Sequence, residues 1–307
     1  MVFSYFTASP IQNIGDAPTG TKTFFSLGST LYALAVVGAN VLVYRYAAGF
    51  GAGFSAFILV ETLIGTVTGV TVTIVGGNAY IASTAGAAVK IWRFDGSAGV
   101  LEYTGSSVSG GKLGTDGTEI YFSNGAGELG EIIKRNGGAW DDGFPAPATG
   151  YTVRTTGIPL GGKCYFFASL GNDIKVWEVS GAGVTVVATA SGLTITGTGP
   201  SVLFDGAAYW IWKDAGGNAH LAEWTGTVLT ANLVDFAVTY PGFAIVGLPL
   251  AVVGGALYAI AQDGTDALVI TADPEDPTDW TEAQRTPNLD AQSAFSDYQY
   301  APMIAAP

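Results

Sequence analysis

The chain has 307 residues, 49% of them hydrophobic and 12% charged, with 25 acidic against 12 basic side chains and a formal charge of −13. That is ample material for a large core, and an acidic excess without a Lys/Arg cluster repels polyanions, which argues against nucleic-acid binding. The 44 glycines follow no G-X-Y period, so a collagen-like rod is excluded and glycine reads as turn punctuation.

The opening residues, MVFSYFTASP, have neither the basic n-region nor the long apolar h-region of a secretory signal. Residues 1–20 read as an N-terminal arm. The apolar stretch from Leu31 to Val60 is interrupted by Asn40 and Arg45 and by glycines at turn-like intervals. It does not supply the uncharged span of about 20 residues that a membrane helix needs, so buried strands are expected there and membrane insertion is not.

From residue 21 a phrase repeats. NAYIASTAGAAVKIWRFDG (Asn78 to Gly96) returns as KCYFFASLGNDIKVWEVSG (Lys163 to Gly181). Six copies are anchored on Tyr32, Tyr80, Tyr121, Tyr165, Tyr209 and Tyr258, spaced 41 to 49 residues apart. Four residues before the tyrosine stands Gly28, Gly76, Gly117, Gly161 or Gly254; in the fifth copy the glycine slips to Gly206, after Asp205. Twelve residues after the tyrosine come Tyr44, Trp92, Ile133, Trp177 and Ile270.

Each unit divides into four short runs, in the second copy TVTIVG, NAYIAS, VKIWRF and GVLEYTG. They are β-branched and aromatic, without helical period, and joined by loops rich in Gly, Asn, Asp and Ser. A repeat of 40 to 50 residues built this way is the signature of propellers and solenoids. An open solenoid would cap its ends with polar units. The sixth copy, GGALYAIAQDGTDALVI, is as apolar as the second, so a closed ring is expected.

The expected fold is therefore all-β: a six-bladed β-propeller of four-stranded blades with short terminal arms. The blades fall at 21–66, 67–108, 109–152, 153–196, 197–243 and 244–286, with a C-terminal arm at 287–307. The aromatic column of Tyr44, Trp92 and Trp177 belongs between adjacent blades.

At the level of architecture the chain resembles six-bladed members of the β-propeller superfamily, kelch-like, tectonin-like and fungal fucose-lectin-like, over roughly residues 20 to 287. The lectin-like phrase is YWIWKDAGGNAHLAEWTG (Tyr209 to Gly226). Lectins of that type would repeat an arginine and a glutamate in most blades. Here the column after the aromatic reads Arg45, Arg93, Lys134, Glu178, Glu223 and Thr271, a departure that argues against repeated sugar sites.

Chemistry is sparse. His220 is the only histidine, which excludes histidine-cluster metal sites and leaves one residue for any Ser-His-Asp triad; a solvated or strand-face position is expected for it. Cys164, the only cysteine, lies in the apolar run KCYFFAS and reads as buried and inert. Asp116, Glu119, Asp205, Asp214, Asp263 and Asp266 could supply a glycosidase pair, yet most sit beside glycine, where Asp serves turns. The segment DPEDPTDWTEA (Asp273 to Ala283) gathers acids suited to calcium, though its prolines and Trp280 favour a rigid turn. No cofactor is expected.

In propellers the loops joining second to third strands gather on the face used for binding. They are VGAN, STAGAA, NGAGELG, SLGND, KDAGGN and QDGTD, which would place Asn124, Asn172, Asp173, Asp214, Asn218, Asp263 and Asp266 around one mouth. The resulting expectation is a non-catalytic structural or adsorption component of a bacteriophage or phage-like particle. Its arms would contact other subunits, and its loops a host-surface glycan. A carbohydrate-binding propeller and a glycan-cleaving hydrolase are the alternatives.

Overall fold

The computed structural model describes residues 2–5, 12–16, 21–28, 30–46, 57–64, 67, 69–85, 88–106, 111–123, 131–136, 138–145, 150–181, 183–264 and 266–286. A hairpin of β1 (Val2–Tyr5) and β2 (Gln12–Asp16) comes first and joins no other sheet. Six antiparallel sheets of consecutive strands follow, arranged as a propeller.

Blade 1 is β3 (Thr21–Leu27), β4 (Thr30–Val37), β5 (Asn40–Tyr46) and β6 (Phe57–Ile64). Blade 2 is β7 (Gly69–Val75), β8 (Asn78–Ala85), β9 (Ala88–Phe94) and β10 (Gly99–Ser106). Blade 3 is β11 (Lys112–Thr115), β12 (Ile120–Ser123), β13 (Glu131–Asn136) and β14 (Ala139–Pro145). In blade 4 the first strand is split into β15 (Thr152–Val153) and β16 (Ile158–Leu160), both paired to β17 (Lys163–Leu170), then β18 (Asp173–Ser180) and β19 (Gly183–Ser191).

Blade 5 is β20 (Gly197–Phe204), β21 (Ala207–Lys213), β22 (Ala219–Trp224) and β23 (Leu229–Asp235), followed by the one-turn helix α1 (Phe236–Thr239) capped by Asp235. Blade 6 is β24 (Ala244–Val253), β25 (Ala256–Asp263), β26 (Asp266–Asp273) and β27 (Asp276–Thr286). Among the described residues no strand is exchanged between blades, and each blade is a local meander. Among the described residues no helix is long and apolar enough to cross a membrane.

The repeated tyrosine lies on the second strand of every blade. Its cross-strand partners are, in order, Arg45, Arg93, Lys134, Glu178, Glu223 and Thr271. Strand alternation then explains why tyrosine recurs. Cys164, Phe166 and Ala168 of β17 pack with blade 3's Tyr121, while Tyr165 and Phe167 pack with Trp210 and Trp224 of blade 5. Likewise Tyr32 packs forward onto Ile81 and Phe94 of blade 2, and Tyr80 onto Leu113 and Phe122 of blade 3.

Trp92 and Trp177 face the preceding blade, within the clusters that join blades 1 to 2 and 3 to 4. The aromatic column is inter-blade packing, as the spacing predicts. Tyr44 is only partly buried, and the Ile133 side chain lies outside the described residues.

The hairpin turns carry the other half of the repeat. Gly76-Gly77, Gly161-Gly162 and Gly254-Gly255 all have positive φ, the backbone of the two-residue turn that matches strand twist. In blade 5 the same register holds Asp205 at φ 44, followed by Gly206 at φ 74. The glycine has not slipped; aspartate occupies the left-handed position that glycine takes elsewhere.

Near the axis the first strands approach closely enough to bond across blades. Gly157 N–H donates to Leu113 O at 2.8 Å, and Ser201 Oγ donates to Thr156 O at 2.8 Å. A Cβ on Gly114 would stand 2.6 Å from Gly157 Cα and 2.7 Å from Cys164 Sγ. Glycine is there because two backbones meet.

Candidate functional site

The loops between second and third strands place the predicted residues in blade-by-blade pairs. In blade 4, Gly171 at φ 56 lets β17 reverse into β18, with Leu170 opposite Asp173. Asn172 accepts Leu193 N–H through its carbonyl at 2.7 Å and Thr194 Oγ1–H through Oδ1 at 3.0 Å. Asp173 accepts the Tyr151 hydroxyl at 3.4 Å, and Lys175 Nζ sits 4.4 Å from the Tyr151 ring centre.

In blade 5, Asp214 Oδ1 accepts Asn218 N–H at 2.8 Å and Oδ2 accepts Asn218 Nδ2 at 3.0 Å. Beside them is His220, on a face of β22 and buried rather than solvated. It is 5% exposed and stacks on Trp212, with ring centres 4.3 Å apart and planes at 23°. Its Nδ1 is 3.0 Å from Asn232 Oδ1 and 3.8 Å from Asp235 Oδ2, while Nε2 is 3.4 Å from Asp214 Oδ2. The imidazole is buried because the aromatic strand YWIWK carries Trp212 directly opposite it in register. Burial would raise the Asp214 carboxyl, but the Asn218 bonds and His220 outweigh it and hold it below the usual range.

In blade 6, Asp263 and Asp266 flank the turn and both bind Arg285, at 3.0 and 2.9 Å, with Glu282 adding a third carboxylate at 2.8 Å. The three carboxylates push the guanidinium pKa up, Glu282 first. Asn124 lies outside the described residues. Asp214 and Asn218 bond directly and Asp263 and Asp266 share Arg285, whereas Asn172 and Asp173 take separate partners, Thr194 and Tyr151.

The glycosidase candidates divide between the two ends of the blades. Asp116, Glu119 and Asp205 belong to turns joining first to second strands, whereas Asp214, Asp263 and Asp266 belong to the opposite end. Asp116 is spent on its own turn: Oδ1 accepts Thr118 and Glu119 N–H at 2.8 and 2.7 Å, and Oδ2 accepts the Tyr121 hydroxyl at 2.7 Å. Cys164 is buried, and burial pushes its thiol well above the ordinary value. In the acidic segment, Asp273 and Asp276 accept Glu275 and Thr278 N–H at 2.8 and 2.9 Å, over a buried Trp280. Among the described residues no three His, Cys, Asp or Glu side chains gather as a metal would need.

One polar centre escaped the sequence reading. Glu102 of β10, nearly buried, bridges Arg93 of its own blade at 2.7 Å and Arg135 of blade 3 at 2.6 Å. Arg135 also lies 5.1 Å from the Tyr80 ring centre. The arginine column gave a signal; Glu102, in a register interrupted by a bulge between Leu101 and Tyr103, gave none.

No protein-family model matches the sequence, and no curated protein matches it. Solved structures do match in shape. The β-propeller domain of the Trilobed protease from Pyrococcus furiosus, described as having an open velcro topology, is similar at a TM-score of 0.54 and 10% identity, over 94% of this chain and 83% of that one. A prolyl endopeptidase is similar at 0.55 and 10% identity over 86% of this chain, which spans 42% of that longer chain. A fungal lectin from Aleuria aurantia, described as a six-bladed β-propeller with its own fucose recognition mode, is similar at 0.51 and 12% identity over 89% and 97%. At such identities the likeness is one of fold. The chain is a six-bladed β-propeller.

Proposed function

We propose that the chain is a non-catalytic binding propeller serving as a structural or adsorption component of a bacteriophage or phage-like particle, in the virion or another extracellular particle. The observation that supports this reading is the β1–β2 hairpin. All six blades are built from Thr21 to Thr286, so the hairpin adds an element that no blade requires. In this reading it and the C-terminal arm, whose residues lie outside those described, contact neighbouring subunits. The loop face, stiffened by the bonds of Asn172, Asp214 and Asp266, meets a host surface.

The lectin alternative draws less from the geometry. Trp92, Trp177, Trp210, Trp212, Trp224 and Trp280 are buried, and the seventh tryptophan, Trp140, is partly buried against Tyr103, so no repeated tryptophan platform supports sugar recognition. A hydrolase would need a pair of acids open to one cleft, and Asp214, Asp263 and Asp266, which share an end, are engaged by Asn218 and Arg285. The test is to compare the full chain with one lacking residues 1–20, scoring incorporation into particles, host adsorption and glycan-array binding. Loss of incorporation by a truncated chain that still folds supports the reading. Unchanged incorporation, or catalytic turnover of a glycan, overturns it.

A further inference from the structure

On the axis, toward the end of the blades that carries the second-to-third strand loops, first strands of blades 1 to 5 line a cavity of about 60 Å³. A single water occupies about 10–15 Å³ on that measure, so the space suits a small polyatomic ion. The wall is hydroxyl-rich, with Thr23, Thr71, Thr155 and Ser201, and two cations enter it: Lys112 of β11 and Arg154, between β15 and β16. In a chain of net charge −13 with 12 basic residues, two of them share one cavity whose lining includes no Asp or Glu.

Burial draws the Lys112 ammonium down to about 8, and the positive charge of Arg154 adds to the shift. Arg154 is the only other titratable group lining the wall. Its Nε donates to Ser169 Oγ at 2.7 Å, and among the described residues its guanidinium pairs with no carboxylate. Thr155 is 1% exposed, and its Oγ1 has no hydrogen-bond partner among the described residues. Buried hydroxyls are normally satisfied, and like charges withdrawn from water are stabilised by a counter-charge between them.

We infer that the axial cavity is a binding site for a small oxyanion, carboxylate or sulfate-like, held by Lys112 and Arg154 with the Thr155 hydroxyl as a further donor. Sulfate keeps its charge across neutral pH and models the tetrahedral group; acetate models the planar one.

Titration calorimetry of the full chain with sodium sulfate and with sodium acetate, at ionic strength matched by sodium chloride, provides the test. Saturable binding at one anion per chain is expected, and the tighter of the two probes assigns the anion's geometry. Lys112→Met and Arg154→Met each weaken it about tenfold or more, the loss of one charged hydrogen bond. Wild-type affinity also falls as pH rises through about 8, where Lys112 sheds its proton, and Lys112→Met removes that dependence.

Should Lys112→Met not fold, Thr155→Val answers instead. Without anion it is as stable as wild type or more so, because it deletes an unsatisfied hydroxyl, yet it binds the anion more weakly. Absence of saturable binding, or affinity unchanged in Arg154→Met and Thr155→Val, overturns the proposal.

Discussion

Trp177→Ala probes the blade interface that gives the repeat its meaning. Trp177 is 1% exposed and packs with Tyr121 of blade 3 and with Tyr151, Cys164 and Phe166 of blade 4. A buried indole removes about 150–250 Å² from water, worth roughly 4–6 kcal/mol at about 25 cal/mol per Å². Two terms reduce this. Alanine keeps one methyl, and Trp177 Nε1 is buried without a partner, so deleting it returns about 1 kcal/mol or more.

The expected loss is about 3–4 kcal/mol, within the usual range for such truncations. Guanidinium melts followed by circular dichroism measure it as a fall in midpoint at constant slope. Trp177→Phe, which keeps most of the ring and drops the unpaired N–H, costs about 1 kcal/mol or less. A loss below about 1 kcal/mol for Trp177→Ala would mean the indole is exposed, and the inter-blade account of the aromatic column would fall.

Further outcomes follow from single contacts. Gly114→Ala destabilises by about 1–3 kcal/mol through overpacking against Gly157 Cα and Cys164 Sγ; an unchanged melt shows that the inner strands are not in contact. Asp205→Gly leaves stability level or raised, while Asp205→Val lowers it by about 1–2 kcal/mol, because valine resists φ 44; equal melts for the two would refute the left-handed assignment. For Glu102, burial would raise the carboxyl, but the bonds from Arg135 and Arg93 overcome it and lower its pKa. Its contribution is therefore present above the unfolded value of about 4.3 and lost as pH falls through the lower folded value. Denaturation midpoints compared at neutral and acid pH drop less in Glu102→Gln than in wild type, and parallel profiles would contradict the bridge. Asn172→Ala, Asp173→Ala and Asp214→Ala combined reduce host adsorption while the ring stays folded; unchanged adsorption and glycan-array binding rule out this face.

The legible part of the fold was the part written locally. Tyrosine, its glycine four residues before and the aromatic twelve after all lie within one blade, and the ring stacks copies of that unit. Asp205 misled because a left-handed turn position held by aspartate was read as a slipped glycine; backbone conformation, not residue identity, is what repeats. The burial of His220 was not legible because it depends on Trp212 opposite and Asp235 on the next strand, which a strand-face alignment does not weigh. Glu102 and Arg135 belong to different blades, and Lys112 and Arg154 meet only when the first strands converge on the axis. Contacts between units leave no local period. Strand order puts Asn172, Asp214 and Asp266 at the turns from second to third strands, yet their side chains are held by Thr194, Asn218 and Arg285, partners that position alone does not reveal.

The central claim is that this propeller works as a bound part of a larger particle. The most direct measurement is the native mass of the full chain as recovered from the cells that make it, by sedimentation under non-denaturing conditions. The account predicts that most of the chain travels with a particle far heavier than its own 31.4 kDa and leaves that fraction when residues 1–20 are removed. A full chain that sediments as a free 31.4 kDa monomer would contradict it.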